Sequence, residues 1–339
     1  MMTTTDFPAD LNTVLILGAR GRFGLATARA FADAGWRVLA QMRPGAVVPH
    51  EAEGDKRITW LSLDLTGTQA LTRAAQGASV VVHALNPAYT DTAWRTQALA
   101  MLDNALAVAQ ALKATLMMPG NIYNFGAEMP NVLREDTPQL AQTVKGKIRI
   151  AMEQKMQVSG VRSIVIRAGD FFGSGKGTWF DTAIVKDIQK GKFVYPGQLG
   201  IATAWAYLPD LACTFVAVAA QRAQLKPFEV FHFKGVSVTG QQWAAALNAI
   251  ARVQGWVKPE ASVKFSRLPW AIIRIGALLN PTWAALLEMK YLWDTPHALN
   301  NGKLVALLGA EPHTPFADAA RQALADLGFL PLPAPDSTR

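Results

Sequence analysis

The chain of 339 residues carries a single cysteine, Cys213. One thiol excludes an intramolecular disulfide and a multi-cysteine metal centre, and it fits a reducing, cytoplasmic compartment. The five histidines, His50, His83, His232, His297 and His313, have no close ligand spacing, so no metal site is expected. Only 17% of residues are charged while half are hydrophobic, which excludes a disordered chain. Long uninterrupted apolar runs are also missing. The stretch from Ile275 to Leu287 is bounded by Arg274 and Glu288, and Phe193 to Pro209 is broken by Pro196, Gly197 and Gly200, so no membrane span is expected. Met1 to Asp10 lacks a basic region followed by an apolar one, and no secretory signal is read there. A net charge of +8 is present without any dense Lys/Arg tract, which favours anionic small molecules over nucleic acid as partners. No Gly-x-Ser-x-Gly elbow is found.

What is there is an alternation of short apolar runs and helical patterns. Residues 13–17, 37–41, 58–61, 79–83, 114–118 and 163–167 read as strands, and 229–233 as a later one. Helical spacing covers 23–34, 92–112 and 144–158. Strands separated by helices imply parallel crossovers, hence an α/β fold with a doubly wound parallel sheet. The organisation expected is a nucleotide-binding domain over residues 10–170, with 206–235 returning to its sheet. A smaller, mostly helical substrate lobe would comprise 171–205 and 236–330. The second half holds most of the tryptophans, and Trp179, Phe180, Trp205, Tyr207, Trp283 and Trp293 either line a pocket or form that lobe's core. The tail from Pro331, with three prolines, reads as a loose end.

The first strand runs into Gly18-Ala19-Arg20-Gly21-Arg22-Phe23-Gly24, and a helix follows. This is the context a dinucleotide's phosphates require. Gly18 permits the tight turn, Gly21 lets backbone approach the pyrophosphate, and Gly24 lets helix and strand pack closely, as in a Rossmann unit. Free N–H groups at the helix start then face the anion. At the end of the second strand, where NAD-binding chains place a carboxylate for the ribose 2′-hydroxyl, stands Gln41-Met42-Arg43. Arg43 can pair with a 2′-phosphate, with Arg20 and Arg22 helping, so NADP(H) is expected in preference to NAD(H). Asp64 either accepts from the adenine amino group or caps the turn before Gly67. In a doubly wound sheet, ligands meet the carboxyl ends of the strands. That places Asp64 and Leu65, Ala84, Leu85 and Asn86, Gly120, and Ala168 and Gly169 among the cofactor-contacting residues.

Over residues 12 to 235 the chain resembles the short-chain dehydrogenase/reductase superfamily in its extended or atypical branch. The resemblance rests on the glycine spacing, on Leu63-Asp64-Leu65, on Val81-Val82-His83-Ala84 and on Ile166-Arg167-Ala168-Gly169-Asp170-Phe171-Phe172-Gly173. Ala206-Tyr207-Leu208-Pro209-Asp210-Leu211-Ala212 adds to it, although Asp210 reads more simply as a helix N-terminal residue. Most of that superfamily uses a serine and a Tyr-x-x-x-Lys pair. None of the five tyrosines here has a lysine four residues later, and Met118-Pro119-Gly120-Asn121 stands where the serine belongs.

The helix that should carry the pair instead has Lys145, Arg149 and Glu153, which is similar to the isoflavone and pinoresinol reductase-like proteins. The resemblance implies that Lys145 is both the catalytic group and a ribose contact. Lys147 is the alternate, standing at the usual lysine position with Thr143 in the tyrosine's place, and Tyr123 is a second catalytic candidate. The shared helical face lets Glu153 pair with Arg149. The implied activity is an NADPH-dependent reductase acting on an apolar, cyclic or aromatic small molecule, as a monomer or homodimer. The alternatives are a catalytically silent NADP(H)-binding sensor or assembly factor, and a sugar-nucleotide epimerase- or dehydratase-like enzyme.

Overall fold

A computed structural model describes residues 12–331. Met1 to Asp10 and all but the first residue of the proline-bearing tail, both read above, lie outside the described residues. In chain order, the first half comprises β1 (Thr13–Leu17), α1 (Arg22–Asp33), β2 (Arg37–Met42), β3 (Ile58–Ser62), α2 (Thr68–Ala74), β4 (Ala78–His83), α3 (Asp91–Leu112), β5 (Thr115–Asn121), β6 (Val132–Leu133), α4 (Val144–Val158) and β7 (Ser163–Ala168). The second half comprises β8 (Asp170–Phe172), β9 (Lys192–Tyr195), β10 (Ala202–Tyr207), α5 (Leu208–Ala220), β11 (Phe228–His232), β12 (Val236–Thr239), α6 (Gly240–Val253), β13 (Lys264–Arg267), α7 (Trp270–Gly276), α8 (Pro281–Glu288), α9 (Tyr291–Asp294), β14 (Ala298–Leu299), α10 (Gly302–Leu308) and α11 (Phe316–Asp326).

The seven strands of the main sheet lie in the order β11-β7-β5-β4-β1-β2-β3, every neighbouring pair parallel. Helices cover both faces, which explains why β1 and β7 are buried along their whole length and lack polar/apolar alternation. One face packs Phe23, Phe31, Val80 and Phe215 into one core, and the other packs Leu15, Trp94, Leu102 and Leu116 into a second. The chain reverses its direction of sheet growth between β1 and β4, so the crevice for a ligand opens at their carboxyl ends.

The second lobe is less purely helical than the sequence suggests. It contains a three-stranded sheet, β12-β10-β8, and the pair β13-β9. Short strands such as Lys264–Arg267, exposed along their whole length, carry no periodicity to read. Phe180, Trp205, Tyr207 and Trp243 form this lobe's own core. Trp293 is buried beneath α7 and α8. Of the six aromatic residues offered as pocket walls, Trp179 alone lines the main cavity, and Trp283 lies on an outer groove.

Candidate active site

The glycine turn leaves β1 at Gly18, whose φ of +78° is a left-handed conformation that glycine adopts without strain. A Cβ on Gly24 would stand 2.5 Å from the Gly18 carbonyl oxygen, so helix α1 can approach β1 only without a side chain there. Helix α1 begins at Arg22, and its Gly21 cap supplies no side-chain hydrogen bond. The opening N–H groups are therefore left for a ligand.

Gln41 at the end of β2 turns inward and is buried. Its Oε1 accepts from the Gly18 backbone N–H at 2.9 Å, and its Nε2 donates to the Leu63 carbonyl at 2.7 Å. The residue that replaces the expected carboxylate thus braces the turn. Arg20 and Arg43 are exposed, and among the described residues neither side chain has a hydrogen bond or ion pair. Arg22 is different. Its guanidinium is largely buried, with Nη1 left without a partner, and burial lowers its pKa against the opposing pull of Asp181. A desolvated cation with an unused donor beside a helix start suits a phosphate. Asp64 is exposed and holds its own turn, accepting from Thr66 N–H at 2.8 Å and from its hydroxyl at 2.5 Å. Those bonds lower its pKa.

A cavity of about 640 Å³ opens beside the turn, in the crevice the sheet order predicts. It is lined by Gly21, Arg22 and Phe23 from the turn, by Ala84, Leu85 and Asn86 after β4, by Gly120 and Tyr123 after β5, and by Gly169 after β7. Gly18, Arg20, Gly24, Arg43, Asp64, Leu65 and Ala168 lie outside its walls; Gly18 backs onto Leu85. Asn121, Asp170 and Phe171 line it at the carboxyl ends of β5 and β7, where a doubly wound sheet meets its ligand, and so do Tyr89 and Trp94 at the start of α3 and Thr178, which no sequence motif marks.

The helix α4 triad divides its tasks differently from the expectation. Lys145 is fully buried and is absent from the cavity wall. Its Nζ donates to Asp91 Oδ1 at 2.6 Å, lies 3.8 Å from Glu288 Oε2, and sits 4.8 Å above the Tyr89 ring. A cation near a helix start is disfavoured by the helix dipole, and two carboxylates offset that cost. Glu153 does not pair with Arg149. It makes a buried bidentate ion pair with Arg167 on β7 and accepts from Asn124. The neighbouring strand offers a better-placed fork than a side chain one helical turn away.

Arg149, freed from that pair, lines the cavity. Its guanidinium lies over the Trp94 ring, 5.1 Å from the centroid, and donates weakly to Pro119 O at 3.3 Å and Asn86 Oδ1 at 3.4 Å. Its Nε has no partner. Lys147 is exposed on the far side of the helix, and Thr143 caps the helix by accepting from Gly146 N–H.

The proton-bearing groups of the cavity are phenols and one carboxyl. Burial raises the pKa of Tyr123 well above the usual tyrosine value, with Asp170 adding to the effect. Burial does the same to Tyr89. The Asp170 carboxyl is pushed up to about 7 by burial, which makes it half-protonated near neutrality. At the end of β4, burial moves the His83 pKa down to about 4, and both ring nitrogens lack partners among the described residues. No group of three or more His, Cys, Asp or Glu residues suited to a metal occurs among the described residues.

The model of the RmlD substrate binding domain family matches residues 12–268. The chain belongs to that family. Its membership and its seven-stranded parallel sheet place it among the extended short-chain dehydrogenase/reductases. A comparison with curated proteins finds no match. Among solved structures, this RmlD-family chain resembles a Burkholderia cenocepacia J2315 protein assigned as an epimerase, at 17% identity and a TM-score of 0.73, over 94% of this chain and 99% of that one. It also resembles the Bordetella bronchiseptica enzyme WbmH in complex with NAD+, at 16% identity and a TM-score of 0.68, over 93% and 98% of the two chains. A third is UDP-glucuronic acid 4-epimerase from Bacillus cereus in complex with NAD, at 15% identity and a TM-score of 0.67, over 92% and 96%. At these identities the likeness establishes the shared fold.

Proposed function

We propose that this family member is an NADP(H)-dependent reductase whose substrate is an apolar, cyclic or aromatic small molecule with an electrophilic carbon. One observation carries the reading: Phe23, Tyr89, Trp94, Tyr123, Phe171 and Trp179 contribute aromatic rings to the wall of the cavity beside the glycine turn, and its helix α4 cation is Arg149. The dinucleotide would supply the hydride. The glycine turn, the α1 start and the unused Arg22 Nη1 fit its pyrophosphate, and Arg20 and Arg43 are free to meet a 2′-phosphate.

Arg149 holds a permanent positive charge and an unused N–H donor where an oxyanion develops as a carbonyl or enone is reduced. Proton delivery falls to Asp170, whose carboxyl burial pushes up to about 7, or to Tyr123 beside it. The same values argue against the reverse task. A buried phenol with a raised pKa is a poor base for taking a proton from an alcohol. Lys145 acts from behind, as a positioning residue that fixes Tyr89 and the start of α3.

A sugar-nucleotide epimerase- or dehydratase-like activity is the second reading, favoured by the fold shared with WbmH and the Bacillus cereus epimerase. Steady-state assays separate the two. NADPH oxidation with a panel of enones, quinones and ketones is expected. Tight NADPH binding with no turnover of any of them overturns the reductase reading, and NAD-dependent conversion of a UDP-hexose establishes the second.

A further inference from the structure

Helices α7 and α8 form a hairpin at the edge of the second lobe, and its two faces differ sharply. The inner face buries Ile273 and Leu286 against Trp293, with Trp179, Leu268 and Trp270 around them. Trp270 Nε1 donates to the Pro196 carbonyl at 2.7 Å and ties the hairpin to the lobe. The outer face is bare: Ile272 is 61% exposed, Ile275 72%, Leu278 85% and Leu279 93%. Large aliphatic side chains this exposed and this contiguous are unusual on a soluble monomer and mark an interaction surface.

Along the hairpin and the strand before it the charges have one sign. From Lys264 through Leu287 the sequence contains Lys264, Arg267 and Arg274 and no aspartate or glutamate. All three cations are exposed, and so is Lys186 on the adjoining groove. The acidic residues that follow are engaged. Glu288 accepts from the Val144 N–H at 2.7 Å, and Asp294 pairs with Lys290. Apolar residues at a tip, a cationic collar and tryptophans at the boundary are the three components of an interfacial membrane anchor.

We infer that the α7–α8 hairpin docks this protein on a bilayer bearing anionic headgroups, with Leu278 and Leu279 entering the acyl boundary. The seven residues of α7 reach about 10 Å at 1.5 Å per residue, enough to enter the interface and too short to cross it. The collar selects the occupant, because the exposed Lys264, Arg267 and Arg274, with no aspartate or glutamate between residues 264 and 287, gain from an anionic surface. The groove behind the patch, lined by Ile272, Trp283, Leu268 and Lys186, shares Trp179 and Thr182 with the main cavity. An apolar molecule dissolved in the bilayer therefore has a short path to the site. The docking itself does not depend on which reaction that site performs.

Co-sedimentation of the full chain with vesicles tests the inference. Phosphatidylcholine vesicles containing phosphatidylglycerol should carry the protein down, pure phosphatidylcholine vesicles at least tenfold less, and added salt should release it. The double substitution L278D/L279D should weaken vesicle binding at least tenfold with an unchanged melting temperature, since both side chains are already in water. L278S/L279S serves if the aspartates disturb folding, and Arg274→Glu should weaken binding by the charge route alone. Protein that stays in the supernatant with both vesicle types overturns the inference, and so does binding that survives both double substitutions. A dimer seen by sedimentation velocity and broken by L278D/L279D, with no vesicle binding, overturns it in favour of a second copy on this face.

Discussion

The Gln41 side chain bridges the Gly18 amide and the Leu63 carbonyl, at 2.9 and 2.7 Å, and so clamps the glycine turn to the β2 and β3 ends of the sheet. The position that would ordinarily read the ribose instead shapes the loop that reads the phosphates. Replacing Gln41 with alanine leaves a buried donor and a buried acceptor unmet, at a cost of about 1–3 kcal/mol. The expected result is a lower melting temperature and weaker binding of both dinucleotides. An unchanged melting temperature would show that water replaces both bonds.

Arg43 is exposed and its side chain has no partner among the described residues, so its removal should not disturb the fold. Under the NADP(H) reading, Arg43→Ala loses a charge-assisted contact to the 2′-phosphate of about 1.5–3 kcal/mol, tenfold or more in affinity. NADPH binding, followed by fluorescence, should weaken by that factor while NADH binding stays constant. Equal loss for the two cofactors contradicts this role.

Lys145 and Arg149 should separate cleanly. Lys145→Met leaves Asp91 and Glu288 without their cation and is expected to cost about 3 kcal/mol, the lower end for a buried pair because both carboxylates keep some water contact. Arg149→Met removes a charge that faces the cavity and should lower kcat by about a hundredfold with a smaller loss of stability. Thermal unfolding and steady-state kinetics on both variants check the division. A kcat loss confined to Lys145→Met would return that lysine to the centre of the chemistry.

Stability should fall on both sides of mid-range pH. His83, His232 and His297 have folded-state values lowered to about 4, 3 and 4, from 6.5, chiefly by burial. Their contribution is present above about pH 6.5 and is lost as pH falls toward 4. Asp170 has the opposite sign. Its value is raised from 3.8 to about 7, so its contribution is present at acid pH and is lost as pH rises through 7. Asp170→Asn should therefore flatten the alkaline limb of a melting-temperature profile and leave the acid limb in place. It should also abolish the fall in turnover above pH 7 expected of a proton donor. An unaltered alkaline limb would place the Asp170 titration elsewhere.

By itself the sequence determined the parallel sheet and its nucleotide turn. Buried strands such as Thr13–Leu17 and Ser163–Ala168 are short, mainly apolar runs, and helix α4 is readable to the residue because its cap and periodicity are local. The glycine spacing is largely local, since Gly21 and Gly24 each answer a clash with the Gly18 carbonyl a few residues away. Only the tertiary structure decided which member of the Lys145, Arg149 and Glu153 face meets the cavity. Helical spacing allowed an Arg149–Glu153 pair, and β7 overrode it by bringing Arg167 to Glu153. Asp91 and Glu288, 54 residues before Lys145 and 143 after it, then drew that lysine away. Tyr89 and Trp94 became cavity walls for the same reason. Their roles come from elements distant in sequence, and long-range burial and charge pairing leave no local pattern to read.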